Sequence, residues 1–213
     1  MEFAVDLADD PAKSVFYFLQ IRPVVVGNEM EQLRITEEEK KSAFLVSGDA
    51  LGYGQQDTMR DIVFVPPNSF DRTKTRNYAQ TIGRINRILH QQERPFLLIG
   101  PGRWGSADPW LGIPVQWSDI SGVGAIVEIV ELRDGTIRAE ASQGSHFFQN
   151  ITSLGIPYLM IRDEDKNDRI GWDWLLAQER ESEQDGVCHV RLNRPVTVKV
   201  DGKRHEAAGF VRK

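Results

Sequence analysis

Three groups of residues in this chain could do chemistry. The first is Gly144-Ser145-His146, where the small residues Ala141, Ser142 and Gly144 give way to an apolar run with Phe147, Phe148, Ile151 and Leu154. Serine is a preferred N-cap, so His146 is expected to open a short helix. Unpaired backbone N–H groups and the positive end of the peptide dipoles favour an anion at such a place. An imidazole there can accept a phosphoryl group and hand it on. The same residues also read as an ordinary helix start, with Ser145 the cap, His146 the first helical residue and the phenylalanines the core face.

The second group is Gly102-Arg103, inside a run dense in Gly, Pro and Trp from residue 100 to 114. A guanidinium flanked by glycines can reach an anion, with exposed backbone amides adding to it. The run also reads as a stiffening loop packed by Trp104, Trp110 and Trp117. The third group is Glu2, Gln20 and Arg22, on two strands expected over residues 2–7 and 15–23. Gln20 and Arg22 are two apart and project to one face, and Glu2 can stand across from them. A carboxylate, an amide and a guanidinium on one surface suit a metal-bound polyphosphate, the carboxylate taking Mg2+ and the arginine offsetting phosphoryl charge. An amphipathic hairpin with surface charges has the same pattern.

The elements that must position these groups are legible in outline. Residues 125–132 form an apolar strand, and an Asp134-Gly135 turn leads to a second strand at 136–140 before the His146 segment. Residues 77–91 place Tyr78, Ile82, Ile85, Ile88 and Leu89 near helical spacing. Pro95 follows, and Phe96-Leu97-Leu98-Ile99 is a buried strand that empties into the Arg103 loop, the end at which α/β folds place ligands. Thr36 and Glu39 form a capping-box pattern. A strand at 43–47 enters the glycine-rich stretch 48–54, and an apolar strand follows at 61–65. Beyond residue 161 come a charged connector, a short helix from Gly171, strands at 187–192 and 196–200, and a hairpin turn at Asp201-Gly202. His189 and His205 lie on these strands without a second ligand at metal spacing and read as structural or exposed.

Several of these segments resemble phosphoenolpyruvate synthase and pyruvate phosphate dikinase. Ser145-His146, followed after eight residues by Gly155-Ile156-Pro157, is similar to the segment carrying the phosphorylated histidine of that family. Ala141 and Ser142 stand where the family has two glycines. Glu2-Phe3-Ala4 and Leu19-Gln20-Ile21-Arg22-Pro23 resemble the motifs that close its ATP-grasp domain, and the glycine-rich stretch 48–54 resembles the entry to its swivelling domain. Asp108-Pro109-Trp110 resembles a further segment upstream of a strand of that domain. The resemblance implies an α/β chain: the last β-hairpin of an ATP-grasp domain at 1–26, a linker at 27–39, a swivelling β/β/α phosphohistidine-like domain at 40–161, and a small α+β extension at 162–213. It implies Glu2 as a metal ligand, Gln20 and Arg22 at the nucleotide phosphates, His146 as phosphoryl carrier, and Mg and ATP as cofactors. It also implies that the chain is the C-terminal part of a longer protein, needing an N-terminal ATP-grasp half to bind ATP.

Composition excludes other classes. With 213 residues, a net charge of −5 with interspersed signs and no basic run interleaved with aromatics, nothing points to nucleic acid. The single cysteine excludes an internal disulfide. No apolar run approaches membrane-spanning length and no signal peptide stands at the start, so a cytoplasmic protein is expected. Three functions remain open: a phosphotransferase part relaying phosphoryl from Mg-ATP through His146 to an acceptor such as pyruvate; a non-catalytic module using Arg103 with the Ser142 to His146 loop as an anion pocket; and an interaction scaffold.

Overall fold

The computed structural model of the chain describes residues 2–6, 8, 10, 14–20, 33–108, 110–131, 151, 153–162 and 165–211. Arg22, Gly144, Ser145, His146 and the strand expected at 136–140 lie outside the described residues. Two compact units divide the chain, Met1–Gln32 and Leu33–Lys213.

In the first unit, β1 (Glu2–Asp6) and β2 (Val15–Gln20) pair antiparallel as the alternating pattern requires. The register sets Glu2 opposite Gln20 and Val5 opposite Phe16, with an irregularity between Glu2 and Phe3.

The second unit opens with α1 (Glu37–Ser42), whose Thr36–Glu39 capping box forms as the sequence indicates. Next come β3 (Leu45–Ser47), β4 (Asp49–Leu51) and β5 (Tyr53–Phe64). In the glycine-rich stretch, Gly52 alone separates β4 from β5 with φ of 105°, and Gly54 takes φ of 133° inside β5. The periodic stretch becomes α2 (Thr75–Gln91), burying Tyr78, Ile82, Ile85 and Leu89 and leaving Ile88 outside the stripe. Then follow β6 (Phe96–Pro101), the short parallel pair β7 (Arg103–Trp104) and β8 (Gly112–Ile113), β9 (Val123–Glu131) and β10 (Tyr158–Arg162). The tail supplies β11 (Arg169–Ile170), α3 (Trp172–Leu176), β12 (Arg180–Gln184), β13 (Val187–Asp201) and β14 (Glu206–Val211).

Apart from the separate β7–β8 pair, the strands of this unit build one mixed, ten-stranded sheet, so the protein is α/β with a large sheet and few helices. Strands β5, β6, β9 and β10 run parallel, and the apolar sequence of β6, β9, β10 and the end of β5 fits strands covered on both faces. Antiparallel β13 lies on the other side of β5, β14 follows it, and β3 comes after β14. At the far end β4 pairs with β10. Because Gly48 alone separates β3 from β4, the two ends of the sheet meet there and the sheet curls around a core. Ser47 Oγ donates to the Met160 carbonyl at 2.6 Å, and Asp168 accepts from the backbone N–H of both Gly48 and Arg162 at 2.7 Å, which ties the seam. Met59, Ile62, Phe64, Leu97, Ile99, Val127, Leu159, Val190 and Val198 fill the interior. The opposite face, with Val63, Leu98, Ile126 and Met160, packs under α2.

Strands from beyond residue 161 thus sit inside the sheet, which runs across the boundary drawn there. The strands expected at 187–192 and 196–200 are one, β13, whose register against β5 shifts between Arg191 and Val196, where Pro195 cannot donate to a ladder. No helix among the described residues is long and apolar enough to cross a membrane.

Candidate functional site

The four parallel strands end on one edge of the sheet, at Phe64, Pro101, Glu131 and Arg162. In α/β sheets this carboxyl edge is where loops gather side chains for ligands. Arg103 stands there, half-buried, immediately after β6. The segment that carries Gly144, Ser145 and His146 begins from the same edge, since β9 ends at Glu131.

The loop that presents Arg103 is fixed by specific contacts. Gly102 has φ of 72° and lies against Leu111, where a Cβ would come within 2.5 Å of the Leu111 carbonyl oxygen. A Cβ on Gly112 would overlap the Arg103 backbone, which allows β7 and β8 to pair. Gly100 is covered by the Trp104 indole; a Cβ there would sit 2.5 Å from the ring. Trp104 is 1% exposed, and its Nε1 donates to the Val127 carbonyl at 3.0 Å. Its backbone N–H donates at 2.9 Å to the carboxylate of Glu128, which is 0% exposed. Glu128 is a lone carboxylate in the apolar run Ala125-Ile126-Val127-Glu128-Ile129-Val130, a pattern that marks a buried acid with a fixed partner.

These contacts spend the loop amides. Gly102 N–H donates to Ile129, Arg103 N–H to Leu111 and Gly105 N–H to Ile113, at 2.7 to 2.8 Å. The glycines therefore shape the turn, and an anion at this edge would rest on the Arg103 side chain, with no contribution from the amides of residues 102–105. Trp117 is half-buried as a packing residue should be, but Trp110 is 67% exposed, with the Arg72 guanidinium 4.8 Å from its ring centroid. Trp110 thus faces water and does not pack the loop. Of the third group, Glu2 and Gln20 are register partners in the hairpin, and Arg22 lies outside the described residues.

A cluster that sequence spacing does not show lies at the opposite edge, beside the start of β6, where Asp61 is the register partner of Phe96. Asp61 is 2% exposed and His189 5%. His189 Nε2 is 2.8 Å from Asp61 Oδ1, and Arg94 grips the same carboxylate through Nε at 3.0 Å and through Nη2. Nη2 also reaches Glu181 at 3.0 Å. Burial pushes the Asp61 carboxyl up, but hydrogen bonds from His189 and Arg94 outweigh it and hold the group below its ordinary range. The ligand atoms of Asp61, Glu181 and His189 lie within 4.8 Å of one another, a spacing that suits a metal ion. The Arg94 guanidinium already supplies the positive charge between the two carboxylates, so the cluster is satisfied as an ion-pair network. The chain matches no family model, no curated protein and no solved structure.

Proposed function

We propose that the chain is the carrier part of an ATP-dependent phosphotransferase similar to phosphoenolpyruvate synthase. In this reading β1–β2 is the closing hairpin of an ATP-grasp domain, and the curled sheet is the swivelling domain that bears His146. Glu2, the register partner of Gln20 in the hairpin, would hold Mg2+, and Gln20 and Arg22 would meet the nucleotide phosphates. Bound Mg2+ would neutralise charge on the polyphosphate. An imidazole nitrogen of His146 attacks phosphorus, an N–P bond forms as the P–O bond to the nucleotide leaving group breaks, and the imidazole proton passes to solvent. The oxygen of a small acceptor such as pyruvate, whose methyl group gives up a proton to solvent as its enolate forms, then attacks; an O–P bond forms as the N–P bond breaks, and the imidazole takes back a proton. Arg103 offsets charge on the phosphoryl group while it is carried.

The observation that carries this reading is the shared edge: the rigidly presented Arg103 and the start of the His146 segment both leave the carboxyl ends of adjacent parallel strands, β6 and β9. Phosphoramidate, which phosphorylates histidine directly, tests it without an ATP-binding half. The native chain is expected to take up acid-labile, alkali-stable phosphate that His146→Ala loses and His90→Ala and His205→Ala retain. Undiminished label in His146→Ala, or none in the native chain, contradicts the carrier role. The placement of Arg103 at this edge also fits a second reading, a static anion pocket that rests on its side chain. Phosphate binding that depends on Arg103 with no phosphohistidine would select it.

A further inference from the structure

Among the described residues, Trp110 is the most exposed of the large apolar side chains, at 67%. Exposing an indole forfeits the burial that normally places tryptophan in a core. Its backbone is nonetheless held by hydrogen bonds. Asp108 Oδ1 accepts the Trp110 N–H at 2.9 Å, and the Asp108 carbonyl accepts from Leu111 and Gly112 at 3.0 and 3.2 Å. Gly112 is in turn the register partner of Arg103. Arg72, from the connection after β5, lies over the ring at 4.8 Å. Loops after two different parallel strands thus bring one indole and two guanidinium groups to the same edge.

We propose that Trp110, backed by Arg72, is a stacking platform for the base of a nucleotide whose phosphates Arg103 holds. A planar ring uses the indole, and a phosphate uses the guanidinium; inorganic phosphate would leave the first idle and an uncharged aromatic the second. The spacing suits both parts of one molecule. Two residues span at most about 7 Å and paired strands lie about 4.8 Å apart, which puts the Trp110 and Arg103 backbones within about 12 Å. The inference rests on the working edge proposed above, but not on phosphorylation of His146.

Calorimetric titration of the full chain with ADP, pyrophosphate and ribose 5-phosphate tests it. ADP is expected to bind about tenfold tighter than either partial ligand. Trp110→Ala should erase that margin, Trp110→Phe should keep part of it, and Arg103→Gln should weaken ADP and pyrophosphate alike. Because Trp110 is exposed, an unchanged thermal midpoint verifies that Trp110→Ala is folded. ADP binding no tighter than pyrophosphate, or equal in native protein and Trp110→Ala, overturns the proposal. So does self-association that Trp110→Ala abolishes in a chain that does not bind ADP, which would assign the indole to a contact between copies. Phosphoramidate labelling reads the carrier role separately: loss of label with the ADP margin intact removes that role alone, and the reverse result removes only the platform.

Discussion

Asp61 is the residue on which the network away from the proposed site turns. Its carboxylate is buried and held by His189 and Arg94, so removing Arg94 leaves it with one neighbour in a dry setting. Arg94→Ala is expected to destabilise the protein by about 3 kcal/mol, read by denaturant unfolding. The depressed pKa sets a pH dependence. The contribution is fully present above the ordinary carboxyl value of about 3.9 and is lost as pH falls through the lower folded value. The stability gap between native protein and Asp61→Asn should therefore shrink as pH drops below about 4 and stay flat above about 6, measured by urea unfolding at each pH. A gap that widens in acid would mean the carboxylate is not the species the network holds. None of this was legible beforehand, because Asp61 lies 33 residues from Arg94 and 128 from His189 in sequence. Glu128 left a trace, a single acid in an apolar strand, whereas the exposure of Trp110 ran against the usual burial of tryptophan.

Elements with local signals stood out in the sequence. Helix α2 followed its stripe, α1 its capping box, and β6 its apolar run before the glycines. Strand partnership was not readable in the same way, because it depends on residues far apart: β13 lies against β5, which precedes it by more than a hundred residues. The seam at Gly48 is likewise a product of three separate segments. Asp168 accepts from the backbone N–H groups of both Gly48 and Arg162 across it. Asp168→Ala should cost about 1 to 3 kcal/mol and speed hydrogen exchange at those two amides before others in the sheet, with Asp168→Asn recovering part of the loss. Uniform exchange across the sheet in Asp168→Ala would show that the seam does not depend on this carboxylate.

At the scale of the whole molecule, the curled sheet couples the tail to the proposed site. Strands β13 and β14, paired with β5 and β3, line the interior and supply Cys188, Val190, Val196, Val198, Val200 and Ala207 to the same core as Leu97 and Val127. A chain ending at residue 161 would expose that core, so it should lack a cooperative thermal transition and bind a hydrophobic dye; a sharp transition would show the tail to be dispensable. Arg103 follows parallel strand β6 at one edge, and the charged network of Asp61 lies at the other. The most direct test of that division is an amide-resolved NMR spectrum of the native chain before and after phosphoramidate treatment. Shifts are expected at and beside His146 and, beyond that segment, at Arg103, Trp104, Gly105 and Glu131, with Asp61, Arg94 and His189 unmoved. Shifts centred on His189, or none along the edge where β6 and β9 end, would contradict it.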